Sequence, residues 1–353
     1  MFLSVGIVGL PNVGKSTLFN TLTKKKVEAS NYPFCTIDPN VGVVKVPDFR
    51  LEKIARVSQP QKVTPTFIEF YDIAGLVKGA NKGEGLGNQF LSHIRECDAI
   101  CEVVRDFKSS DIIHVDGRID PENDKETIDT ELLLADLASM EKRVFKAQKL
   151  SKTGNKEAVK HLEFLQKIKE NLENGVAVRD VDLSGDDKGY VKELNLLTAK
   201  PIIYVLNVDD GYTEGVGQYF DGALKLNIKL EEEIAGLPDQ ERKEYIKELG
   251  LEQSGLEKLI KTSYELLGLV TFFTTGKDET RAWTVGRGAY APEAAGKIHT
   301  DMEKGFIRAN VINWADFVRV GSEAVAKEKG LIRTEGKDYI VQDGDICHFL
   351  HNK

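Results

Sequence analysis

Three features of the 353-residue sequence predict an α/β fold built in three parts. A glycine-bearing loop, Gly9 to Ser16, joins an apolar strand to a helix; a heptad seam runs from Leu133 to Ala147; short strands alternate with helices after Val270. At roughly 150 residues per domain, the length suits two or three domains with ample core. Hydrophobic residues make up 41% and charged residues 29%, as in ordinary globular proteins, and no apolar run approaches the ~18 residues of a membrane span. The start, Met1 to Gly9, has no basic region and no small-residue cleavage site, so it reads as a first strand, and a cytoplasmic protein without membrane contact is expected. Cys35, Cys97, Cys101 and Cys347 are too few for a disulfide framework and read as reduced thiols. With 48 basic and 56 acidic residues the net charge is −8, which, evenly spread, argues against a nucleic-acid partner.

The first part is carried by Gly9-Leu10-Pro11-Asn12-Val13-Gly14-Lys15-Ser16, which fits G-x-x-x-x-G-K-[ST] in full. Val5 to Val8 lead into it as a strand, and Leu18 and Leu22 follow at helical spacing. The glycines of such a loop let backbone N–H groups converge on phosphate oxygens, and the helix N-terminus adds partial positive charge. Lys15 reaches the β- and γ-phosphates, and Ser16 ligates Mg²⁺.

Next, Thr66 to Asp72 alternates like a strand and ends in the turn Asp72-Ile73-Ala74-Gly75. An aspartate at that strand end is placed to hold Mg²⁺ through a water, and Gly75 can swing an N–H toward the γ-phosphate. Between the two motifs lies a turn-rich segment, Asn31 to Asn40, whose single threonine, Thr36, is the candidate Mg²⁺ ligand of a nucleotide switch. Where a Ras-type switch places its water-orienting glutamine, this chain has Leu76. Hydrolysis is therefore expected to be slow, with His114 as the candidate substitute and His93 as a weaker one. Four glycines between Gly79 and Gly87 suggest a switch ordered by a partner.

An apolar strand, Pro201 to Leu206, ends in Asn207-Val208-Asp209-Asp210. Here N-K-x-D would read guanine, but Val208 replaces the lysine. Asp210 still offers an acceptor-only carboxylate that suits guanine better than adenine, so chemistry alone leaves the base open.

These motifs, from Gly9 to Thr17, Tyr32 to Asn40 and Asp72 to Leu91, resemble those of the Obg-like ATPase (YchF) family, and the likeness extends to Arg281-Ala282-Trp283-Thr284 and Ala294 to Asp301. The resemblance implies a GTPase-like P-loop fold that prefers ATP, a hydrophobic residue in place of the glutamine, as Leu76 is here, and association with the ribosome. It carries phosphate binding onto Asn12 to Thr17, Mg²⁺ onto Ser16 and Thr36, and base reading onto Asn207 and Val208. Two departures fall at the base pocket: Asp210 stands where the family has glutamate, and Asn227-Ile228-Lys229 occupies the place of the Ser-Ala loop.

From Glu126 the character changes. Leu133, Leu137, Met140, Val144 and Ala147 alternate steps of four and three, and Ala158, Leu162, Leu165 and Leu172 follow beyond a turn at Ser151 to Asn155. The pattern predicts an antiparallel helical hairpin inserted in the nucleotide-binding part. From Lys142 to Lys160 stand seven basic residues and one acidic, a local charge of +6 that suits RNA phosphates. Beyond about Val270, strands at 271–275, 281–285, 307–311, 337–341 and 345–349 with helices near 294–304 and from Trp314 resemble the TGS domain, a ubiquitin-like β-grasp module. The expected boundaries are 1–125 with 195–269 for the Ras-like G domain, 126–194 for the hairpin and 270–353 for the TGS domain.

The leading expectation is a monomeric, ribosome-associated switch that binds ATP with Mg²⁺, hydrolyses it slowly, and meets the ribosome and its RNA through the hairpin and TGS domain. Lys15, Gly75 and His114 carry its catalysis. The alternatives are a GTPase of the same fold and a ribosome- or RNA-binding module with negligible turnover.

Overall fold

The structure is a computed structural model that describes residues 3–24, 40–73, 85–108, 118–152, 154–183, 185–209 and 222–352. In chain order the elements are β1 (Ser4–Val8), α1 (Lys15–Thr23), β2 (Val41–Lys45), α2 (Phe49–Ser58), β3 (Lys62–Thr64), β4 (Phe67–Asp72), α3 (Gly85–Glu96), β5 (Ala99–Asp106), α4 (Pro121–Ser151), α5 (Lys156–Glu173), α6 (Gly185–Leu194), β6 (Ile202–Val208), β7 (Leu224–Leu226), α7 (Ile228–Gly236), α8 (Asp239–Glu248) and α9 (Gly255–Leu266). There follow β8 (Leu269–Thr275), β9 (Glu279–Gly286), α10 (Ala291–Ile298), α11 (Thr300–Lys304), β10 (Phe306–Asn313), α12 (Trp314–Val320), α13 (Glu323–Glu328), β11 (Arg333–Glu335) and β12 (Asp345–His351).

Two compact units emerge, Met1–Val43 with Glu69–Leu256, and Val44–Ile68 with Glu257–Lys353. The first holds a six-stranded sheet in the order β2-β4-β1-β5-β6-β7. From β4 to β7 the pairing is parallel, for instance Gly6↔Tyr71, Val8↔Glu102 and Val103↔Val205. Strands buried on both faces read as continuous apolar runs, and β1 and β5 do so, with Val5, Ile7, Ile100 and Cys101 fully buried. The strand order turns around at β1, and α/β sheets bind ligands outside the carboxyl end of the strand at that point.

The helical hairpin of α4 and α5 belongs to this first unit. Asp120 caps α4 by accepting from the Asn123 N–H, and Asn155 caps α5 by accepting from the Glu157 N–H. The expected seam is present in Met140, Val144 and Ala147, with Leu133 and Leu137 half-buried beside it. On α5 the buried residues are Phe164, Leu165, Ile168 and Leu172. Two of these, Phe164 and Ile168, were not in the expected seam, because α5 is short and packs a wider stripe than a strict heptad.

Polar groups fix the hairpin root. Asp136 of α4 is fully buried and accepts from the main-chain N–H groups of Leu197 and Thr198, from the Thr198 hydroxyl and from the Arg95 guanidinium of α3. About two turns earlier on the same helix, Asp129 meets Lys125, Arg179 and the Tyr204 hydroxyl. Glu102 on β5 is fully buried, and burial, aided by the Asp129 charge, holds its carboxyl well above the usual carboxylate range.

The second unit holds a sheet in the order β11-β10-β12-β8-β9-β3. The β8–β9 hairpin is antiparallel, α10 follows it, and β12 returns parallel to β8 with Ile346 beside Phe273, which is β-grasp connectivity. Sequence reasoning kept 44–68 with the nucleotide-binding part, yet these residues group with the second unit. The reason is local: β3 pairs in parallel with β9, and Leu51 and Ile54 of α2 lie in a core with Phe273, Ala282, Ile312 and Phe317. The strand expected at 337–341 is reduced to one bridge between Tyr290 and Ile340, and the helix expected at 294–304 breaks at His299. His299 is extended there, and its Nδ1 accepts from the Asp301 N–H, so this pair caps α11. Asp343-Gly344 turns the chain into β12, which pairs with β8 and β10.

Candidate functional site

The loop after β1 has the shape phosphate binding needs. Gly9 and Gly14 take φ of 147° and 104°, and Asn12 takes 63°. A Cβ at Gly9 would stand 2.4 Å from the Val103 carbonyl oxygen, and one at Gly14 would stand 2.6 Å from Asn207 Nδ2. Both positions therefore require glycine twice over, for backbone conformation and for space. The first helical bond, Leu18 N–H to the Gly14 carbonyl at 2.9 Å, aims the N-terminus of α1 at the loop mouth. Leu18, Phe19 and Leu22 anchor that helix in the core.

Lys15 is buried, and its Nζ donates to the Leu10 carbonyl at 2.6 Å, which curls the loop around its own ammonium. Burial lowers its pKa to about 8, and the Asp72 carboxylate pulls it back upward. Ser16 and Thr17 are exposed beside it, while the Val13 side chain is buried and only its main chain can serve a ligand.

At the end of β4, Asp72 Oδ1 is buried without a hydrogen-bond partner. A buried carboxylate oxygen without a partner, near enough to Lys15 to act on its charge, fits a hydrated divalent cation, whose waters would satisfy it. The hard oxygen donors of Ser16 and Asp72 are those Mg²⁺ prefers. Thr36, Gly75, Leu76, His114 and Asp210 lie outside the described residues. His93 is described and sits exposed on α3.

A cleft of about 600 Å³ continues from the loop over the carboxyl ends of β5 and β6, lined among others by Asn12, Gly14, Thr17, Phe107, Asn207 and Val208. Asn207 is a scaffold within it: its Nδ2 donates to the Val13 carbonyl at 3.0 Å and its Oδ1 accepts from the Ile228 N–H at 3.2 Å. The side chain thus locks the phosphate loop to the start of α7. Val208 is buried in the wall and gives the cleft an apolar side.

Sequence reasoning missed Phe107, Lys108, Asp209 and Glu232 in this cleft. Phe107 lies against the buried Arg105 guanidinium, 4.3 Å from its ring centroid, and Arg105 Nε donates to the Phe107 carbonyl. The Lys108 N–H is held by the Asp209 carboxylate at 2.8 Å, tying the β5 and β6 exits together. For Phe107, Lys108 and Asp209 the available signal was position alone, since they follow directly on β5 and β6 at the ligand-binding edge of the sheet.

Comparison with known proteins agrees with this geometry. The family named YchF-GTPase_C, described as a protein of unknown function, matches residues 269–352, and a family described as a 50S ribosome-binding GTPase matches residues 4–136. The chain is 52% identical to the ribosome-binding ATPase YchF of Bacillus subtilis and 53% identical to that of Haemophilus ducreyi, with 100% of each chain covered. It also matches the structure of the YchF GTPase of Schizosaccharomyces pombe with a TM-score of 0.88 at 36% identity, over 99% of this chain and 97% of that one. With relatives this similar over its full length, a phosphate loop closed around Lys15 and a β-grasp unit at its C-terminal end, the chain belongs to the YchF family.

Proposed function

We propose that the protein is a ribosome-associated switch that binds ATP with Mg²⁺ and slowly hydrolyses it to ADP and phosphate. The observation that carries this reading is the phosphate loop closed around a buried Lys15 and opening into the nucleotide-sized cleft that Asn207 braces. The name of these relatives, ribosome-binding ATPase, supports the nucleotide and the partner. Ser16 and Thr36 would hold the ion, with Asp72 behind its hydration shell, and the ion would supply positive charge to the β- and γ-phosphates. Lys15 leaves the Leu10 carbonyl for the phosphate oxygens, Gly75 offers its N–H to the γ-phosphate, and His114 takes the water-positioning place that Leu76 vacates. Val208 covers the base with an apolar surface where a guanine reader would carry lysine.

Asp210 favours a second reading, a GTPase of the same fold, because its carboxylate can accept from a guanine ring. Equilibrium binding decides between them. ATP is expected to bind the purified protein more tightly than GTP, and a GTP preference of tenfold or more, about 1.4 kcal/mol, overturns the ATPase reading.

Contact with ribosomal RNA falls to the hairpin tip and the β-grasp unit of a monomeric, cytoplasmic protein. No described helix is long and apolar enough to cross a membrane. Lys142, Lys146, Lys149, Lys152, Lys156 and Lys160 are exposed along the tip, while Arg143 turns back to donate to the Leu194 carbonyl. Neutralising Lys146, Lys149, Lys152 and Lys156 together is expected to weaken co-sedimentation with ribosomes and to reduce the salt slope of binding by roughly one per lysine that meets a phosphate. Unchanged sedimentation across salt concentrations defeats the hairpin as a docking element.

A further inference from the structure

The hairpin tip carries a feature that phosphate binding does not require. Phe145 is 59% exposed on α4, although the neighbouring Val144 and Ala147 are buried in the hairpin core. It lies on the solvent face with Lys142 one turn before it and Lys149 one turn after it, at the spacing that makes residues of a helix neighbours. The Lys149 ammonium stands 4.3 Å from the ring centroid. Leu150, 63% exposed, extends the apolar surface toward the turn. A ring this exposed gains nothing from the protein's own core, and here it is embedded in the most basic stretch of an otherwise acidic chain.

We propose that Phe145 is a stacking platform for an unpaired RNA base, flanked by lysines that hold the phosphates on either side. The inference rests on the reading of the tip as an RNA-binding element and names the kind of RNA it takes. A-form duplex hides its base faces, whereas loops and bulges splay bases out onto aromatic side chains. Lysine alone binds both forms through charge, so the aromatic ring is what separates them. Charge complementarity selects RNA over an apolar protein surface, because docking Phe145 on such a surface would strand Lys142, Lys146 and Lys149 away from water.

The test uses the full chain, fluorescence anisotropy, and two RNA probes, a stem–loop and the same stem closed as a blunt duplex. Phe145→Ala is expected to weaken stem–loop binding roughly tenfold, as expected for loss of one base–aromatic stack, while leaving the duplex affinity and both salt slopes unchanged. Phe145→Tyr is expected to restore the stem–loop affinity. Thermal melting checks that each variant is folded, as an exposed ring predicts. The proposal is overturned if Phe145→Ala leaves stem–loop binding intact, if it weakens both probes equally, or if it reduces ribosome binding without affecting either RNA, which would make the ring a protein contact. Loss of the four lysines is a separate arm: if that variant binds both probes normally, the basic tip itself fails as an RNA site, whatever the Phe145 result.

Discussion

Replacing Lys15 with alanine is expected to abolish measurable ATP hydrolysis, a loss of at least about a hundredfold in kcat, the scale at which one preorganised charge contact to a transition state acts. The structure adds a pH signature. Lys15 titrates near 8 because burial disfavours its ammonium, with Asp72 opposing that effect. Bound phosphates favour the charged form, so the complex keeps its proton above the pH at which the free protein has released it. ATP affinity is therefore expected to be flat below about pH 8 and to fall between there and the ordinary lysine value of 10.5. Binding in that range takes up a proton, which calorimetry in buffers of different ionisation heat measures directly. Folding stability runs the other way. The folded pKa lies below the unfolded one, so the unfolded chain holds more protons between about 8 and 10.5, and the contribution of Lys15 to stability improves as pH rises through that window. Full hydrolysis by Lys15→Ala, or an affinity independent of pH, defeats the assignment.

The largest stability effect is expected at Asp136. Asp136→Ala leaves the Leu197 and Thr198 N–H groups and the Thr198 hydroxyl without their acceptor in a buried site and removes the carboxylate that Arg95 meets. Removing one side of a buried charged network costs about 3–5 kcal/mol. Urea denaturation reads that loss, and hydrogen exchange at the Leu197 and Thr198 amides locates it. A loss under about 1 kcal/mol would show that the hairpin root is held by packing alone.

Much of this was legible in the residues because it is local. The phosphate loop is a contiguous motif whose glycines are demanded by backbone geometry, and Gly9 and Gly14 adopt the conformations that demand implies. The hairpin was legible because Met140, Val144 and Ala147 keep one period along one helix. What depended on distant partners was not. Asn207 was read as a base reader, and the structure adds that its amide braces Val13 and Ile228, which its spacing in the sequence cannot show. Phe107 gave no signal beyond its position after a strand, because its place in the cleft follows from the exit of β5 beside β6. The strand expected at 337–341 failed for the same reason: Tyr339 and Val341 alternate suitably, but only Ile340 finds a bridging partner.

The placement of β3 has a consequence in time. It is made early in synthesis, yet Thr64 bonds to Glu279, 215 residues later, and Ser58 meets Thr275 across 217. Their partners do not exist until more than two hundred further residues have been produced. The second sheet therefore closes late, through contacts whose loop entropy makes them slow, and α2 must keep Leu51 and Ile54 from other apolar surfaces meanwhile. A fragment beginning at residue 269 would lack that edge strand and helix, exposing Phe273 and Ala282 to self-association. The C-terminal unit is thus complete in space but not in sequence, and no single cut in the chain yields it whole.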